Sequence, residues 1–71
     1  MRENDPVASF DDVKVKRATD KAILVEIDGE EHWIPKSHVH DDSEVWDDAP
    51  DARGPGRLVV SQWIAEQKGI A

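Results

Sequence analysis

Residues 22–39, AILVEIDGEEHWIPKSHV, carry the strongest structural signal in the chain. Two runs of alternating apolar and polar side chains flank Asp28-Gly29, the dipeptide that most readily supplies the two positive-φ positions of a type I′ turn. The spacing predicts a two-residue β-hairpin. Side chains alternate between the faces of a strand, so this register sets Ile27 against Glu30, Val25 against His32 and Ile23 against Ile34. Leu24 and Trp33 then share the opposite face.

On the N-terminal side of the hairpin, Val13 and Val15 alternate with Lys14 and Lys16, which predicts a strand with a basic outer face. Thr19-Asp20-Lys21 supplies the turn between them, giving a three-stranded meander over residues 12–34. On the C-terminal side Pro35 has no N–H to donate to a ladder, so the third strand ends there. Residues 35–39 have the length of a tight 3₁₀-like turn that tucks Val39 against the sheet. Glu44-Val45-Trp46 reads as a short strand. Residues 47–56, DDAPDARGPG, crowd prolines and glycines among aspartates and predict a mobile, exposed loop.

Arg57 to Val60 reads as the last strand. Ser61 is a good N-cap, residues 62–68 give about two helical turns, and Gly69 suits the left-handed position that ends a helix. The predicted helix therefore spans 61–69, with Trp63, Ile64 and Ile70 as its buried face. Residues 1–9 are polar, contain Pro6 and show no apolar period, which predicts a flexible N-terminus before a single domain over 10–71. The fold class is mainly β with one C-terminal α-helix: about five short strands curled into a small barrel, whose closure would remove exposed edges.

The chain has 71 residues, no cysteine and a formal net charge of −7. A chain this short buries only about 60% of the surface its unfolded form exposes, and no disulfide or thiolate metal site is available to brace it. No run approaches the ~18 apolar residues of a membrane span, and the first ten residues lack the order of a secretory signal, so a soluble, cytoplasmic protein is expected. The negative charge disfavours duplex DNA and anionic membranes and favours basic partners.

Residues 33–39, WIPKSHV, resemble the strand-to-3₁₀ segment of SH3 domains, where an aromatic and a proline precede Ser-x-x-Val at the ligand-binding face. The resemblance implies an SH3-like barrel with Trp33 and Pro35 facing a ligand. The broader pattern looks like a group of short uncharacterised proteins of phages and other mobile elements. The matching pieces are residues 18–25, 28–37, 41–45 and 58–70. That resemblance implies a phage-type accessory protein that works by binding, and it carries no catalytic residues.

Several residues bear on function directly. His38, His40 and Asp42 recur every two residues, a pattern found in metal sites and, more often, in solvated acidic turns; no metal is assigned. His32 reads as a half-buried sheet histidine. No serine or threonine lies in an elbow or triad motif, so neither catalysis nor a cofactor is predicted. Among three tryptophans, Trp63 is expected in the core, while Trp33 and Trp46 are candidates for a binding surface. Lys14, Lys16, Arg17 and Lys21 beside Trp33 would form a nucleotide or single-stranded nucleic-acid platform.

Asp41, Asp42, Glu44, Asp47, Asp48 and Asp51 form an acidic stretch that, with Trp46, would imitate the phosphate row of a nucleic acid and occupy a basic groove. The favoured reading is a small non-catalytic binding protein, an inhibitor or accessory factor that engages a basic surface of a nucleic-acid-handling protein. The alternative is the nucleotide or nucleic-acid module. Homodimerisation through an unpaired strand near Arg57 to Val60 is a further expectation.

Overall fold

The computed structural model describes residues 6–70. Strands β2 (Ala22–Ile27) and β3 (Glu30–Pro35) form the hairpin. Asp28 and Gly29 have φ of 52° and 82°, as a type I′ turn requires. The register pairs Ile27 with Glu30, Val25 with His32, Leu24 with Trp33 and Ile23 with Ile34, as the alternation predicted. Ile23, Val25, Ile27 and Ile34 are buried on the inner face, where half-buried His32 also sits.

Strands β1 (Val7–Ala18) and β4 (Gly56–Ser61) complete an antiparallel sheet in the order β3-β2-β1-β4. Long β1 pairs with β4 through its first half and with β2 through its second. Two register shifts interrupt it: one between Phe10 and Val13, where Asp12 takes a φ of 56°, and one between Val15 and Arg17. An extra residue on one strand bends it and increases its twist. The sheet thereby wraps a core that includes Val13, Ile23, Val25, Ile34, Leu58 and Val60.

The wrapping stops short of a barrel, and there are four strands rather than five. Beyond the 3₁₀ turn Lys36–His38, Val39 makes a single bridge to Val60. His40 N–H then donates to Val59 O at 2.8 Å, and the amides of Glu44 and Val45 both converge on Arg57 O. A regular ladder does not send two successive amides to one carbonyl. Glu44-Val45-Trp46 is accordingly not a strand, and Trp46 N–H turns away to Ala52 O. Between these points the Ser43 hydroxyl donates to Val59 O and accepts from Val59 N–H, each at 2.9 Å. A side chain occupies the place where a fifth strand's backbone would pair.

This arrangement covers the second edge of β4, so the Arg57 to Val60 edge expected for dimerisation is not open; β3 is the edge strand at the other side of the sheet. Val7 to Ser9, expected in a loose terminus, pair with Ser61 to Val59. Backbone pairing gives order to residues whose side chains carry no apolar period. The rest of that expectation, residues 1–5, lies outside the described residues.

The loop over 47–56 is irregular but anchored. Val45 just before it and Ala52 within it are buried, and Val15 N–H donates to Arg53 O at 2.8 Å. Gly54, at φ 89°, lies so close to β1 that a Cβ there would overlap the Val13 carbonyl and sit 2.7 Å from Val45 Cγ1.

Helix α1 (Gln62–Gln67) follows β4 directly. Ser61 Oγ accepts from Ile64 N–H as the N-cap. At the other end Gly69 N–H donates to Glu66 O and Ile70 N–H to Ala65 O, with Gly69 at φ 72°, a Schellman motif. Ile64 and Ala65 are buried and Ile70 packs against the core, but Trp63 is 58% exposed. A six-residue helix offers one narrow buried stripe, and consecutive residues sit about 100° apart around its axis. Ile64 and Ala65 fill that stripe; Trp63 points off it.

Candidate functional site

All three tryptophans are exposed: Trp33 by 43%, Trp46 by 49% and Trp63 by 58%. An indole is large and apolar and is more commonly covered, so its exposure marks a surface available for contact. Two of the three line grooves, and the segment 36–40 contributes residues to both linings.

The first groove has a volume of about 390 Å³ and is lined by Lys36, Val39, Asp41, Trp46 and Asp47, among others. Burial of Val45 and the Ser43 clamp on Val59 hold its floor, and the Trp46 amide is fixed on Ala52. Of the acidic residues singled out in the sequence, only Asp41 and Asp47 line this groove with Trp46. Glu44 spends Oε1 on the Arg57 amide at 2.8 Å, and Asp47 Oδ1 accepts from Asp48 N–H. Asp42 N–H donates to His40 Nδ1 at 3.1 Å, and Asp42 Oδ2 approaches the same nitrogen at 3.4 Å, so these two residues engage each other. Asp48 and Asp51 are exposed outside the groove.

The second groove, about 610 Å³, is lined by Pro6, His38, Ser61, Gln62, Trp63 and Glu66, with Ser37 beside His38. His38 stacks on Trp63 with ring centroids 5.4 Å apart and planes 27° from parallel. Its Nδ1 lies 2.8 Å from Ser61 Oγ, which already accepts from Ile64 N–H. A hydroxyl oxygen carries one donor and two acceptor lone pairs, so Ser61 Oγ serves His38 Nδ1 in either tautomer while capping Ile64. Serine and histidine in contact are also the starting parts of a nucleophilic site. Here the serine is buried as a helix cap, and no further hydrogen bond orients the His38 ring among the described residues.

His38 and His40 thus face different grooves, and no cluster of three metal-ligating side chains forms among the described residues.

The basic strand assembles in part. Arg17, Leu24 and Trp33 form one cross-strand row on the outer face, while Lys14 lies opposite Glu26, which in turn faces Glu31. Lys16 Nζ lies 3.8 Å from Glu26 Oε2, the one lysine or arginine ion pair among the described residues. Lys21 sits exposed in the β1–β2 turn and is not part of that row. A hollow of about 220 Å³ joins Lys14 and Lys16 to Arg53, a cation that no local pattern connects with them; the loop's docking on β1 brings it there.

The alternate spacing of His38, His40 and Asp42 points to a metal, whereas the partners of His38 are Ser61 and Trp63, more than twenty residues away. Only the N-cap half of Ser61's role was readable, from its place before an apolar helical run.

These features define a small antiparallel β-domain with one C-terminal helix, whose distinguishing surface is a pair of neighbouring aromatic grooves. Among known proteins, no family model, no curated protein and no solved structure matches the chain. No helix among the described residues is long and apolar enough to cross a membrane.

Proposed function

We propose that this is a small non-catalytic binding protein, a phage-type accessory or inhibitor, that engages a basic surface of a nucleic-acid-handling protein. The observation that carries this reading is the half-exposed Trp46 in an anchored groove whose lining holds two carboxylates, Asp41 and Asp47, against one cation, Lys36. An aromatic anchor with carboxylates beside it favours a cationic, partly apolar partner, and the surrounding Asp42, Asp48 and Asp51 add electrostatic steering. Glu44 also holds the loop on β4, its Oε1 accepting from Arg57 N–H.

The test is capture from a host lysate with the native chain as bait, in parallel with the Asp41→Asn/Asp47→Asn/Asp48→Asn variant. The expected result is a basic nucleic-acid-handling protein retained by the native chain alone. Its retention should fall steeply between about 50 and 200 mM salt, as for a partner evolved to grip phosphates. A partner held equally by both baits and indifferent to salt overturns the reading.

The Arg17-Leu24-Trp33 row supports the second reading, a nucleotide or single-stranded nucleic-acid module, although Glu26 and Glu31 share that face. Saturable quenching of Trp33 fluorescence by short oligonucleotides, lost on Arg17→Ala, would put that reading first.

A further inference from the structure

We infer that the second groove is a receptor for an arginine side chain, so that a basic partner is held at both grooves. This deepens the proposed function and takes from it only that the partner is basic.

The chemistry is set by three residues. Trp63 presents an indole that is 58% exposed, with His38 stacked on it at 5.4 Å. His38 is itself held by Ser61 at 2.8 Å, so the aromatic pair is a positioned platform and not two freely rotating rings. Glu66 stands three residues after Trp63 on α1, which places the two side chains on adjacent turns of one helix face. Among the described residues it is the only carboxylate lining the groove, and it forms no ion pair with any of them.

A flat aromatic surface next to a lone carboxylate matches the guanidinium group. Its planar face stacks on an indole while its N–H donors reach a carboxylate in the same plane. A lysine ammonium satisfies the carboxylate but has no planar face to stack, so arginine is the favoured occupant. The first groove also combines an indole with carboxylates, Trp46 with Asp41 and Asp47, and differs in holding a cation of its own, Lys36. Neighbouring residues of one short segment contribute to both linings, Lys36, Val39 and His40 to the first and Ser37 and His38 to the second, which sets the two grooves next to each other.

The test uses the ¹⁵N-labelled full chain, whose three indole N–H resonances are assigned with Trp33→Phe, Trp46→Phe and Trp63→Phe. The probes are a peptide alternating arginine and glycine and its lysine counterpart of equal length. The expected result is a saturable shift of the Trp63 resonance with the arginine peptide, at least about fivefold weaker with the lysine peptide. Glu66→Gln, at an exposed position, should weaken the Trp63 response by about fivefold to tenfold.

Equal response to both peptides, or no effect of Glu66→Gln, overturns the inference. So does a change of the Trp63 resonance on Arg2→Ala with no peptide present, which would assign the groove to the chain's own N-terminal segment. A silent Trp63 beside a responding Trp46 overturns the arginine site and leaves the acidic-groove reading standing. A responding Trp63 beside a silent Trp46 does the reverse.

Discussion

The β2–β3 hairpin and the acidic connection from His40 to Pro55 reach order by different routes. In the hairpin alternate positions build the inner face, with Ile23, Val25 and Ile27 from β2 and Ile34 from β3, the turn residues carry the required positive φ, and each backbone pair follows from the one before it. The connection has no such repeat. It is held by isolated anchors: Val45 and Ala52 in the interior, Ser43 clamped on Val59, Glu44 on Arg57 and the Arg53 carbonyl on Val15. The lesson is that a segment rich in aspartate, glycine and proline becomes a shaped binding surface when a few residues fasten it, and its remaining side chains are then left to face a partner.

Three substitutions press on this contrast. Ile34→Ala removes a fully buried side chain from the hairpin's inner face and should cost about 2–5 kcal/mol, read by chemical denaturation. In so small a domain that loss should unfold the whole chain, acidic connection included. Survival of a folded connection would show that the two regions are independent.

Ser43→Ala is the corresponding attack on the connection. It leaves the amide of Val59, a buried residue of β4, without its partner and should cost about 2 kcal/mol. Hydrogen exchange should quicken at the amides of His40, Glu44 and Val59 first, with the hairpin amides protected until global unfolding. Uniform acceleration across the sheet would mean the clamp is part of the main core.

Gly29→Ala has the smallest effect. Nothing lies within 4 Å of the added Cβ, so the cost is that of holding an alanine at φ 82°, about 1 kcal/mol, with the melting temperature lowered and the grooves unaltered. A change in the Trp46 or Trp63 indole resonances would show that the turn is coupled to the binding face.

The legible parts of the molecule share a cause. The hairpin register, the stop at Pro35, the 3₁₀ turn and the helix with its Ser61 cap and Gly69 end are each specified by residues within a few positions of one another. The misread parts depend on distant neighbours. Val7 to Ser9 look unstructured until β4 is placed beside them. Glu44-Val45-Trp46 has the composition of a strand, yet Ser43 takes the Val59 pairing that a strand would have used. Trp63 has the hydrophobicity of a core residue, and Ile64 and Ala65 had already filled the only stripe α1 can bury.

By itself, then, the chain's order of residues determined a β-rich domain with one capped C-terminal helix, because alternation, turn chemistry and caps act over short separations. It also fixed the excess of negative charge, which needs no fold at all. The tertiary structure alone decided that the sheet stays open, that the acidic connection is fastened, and that Trp46 and Trp63 stand in two grooves to which residues 36–40 both contribute. Each of these outcomes is a competition between surfaces far apart in the chain for the same edge or the same interior space, and no local pattern records which of them wins.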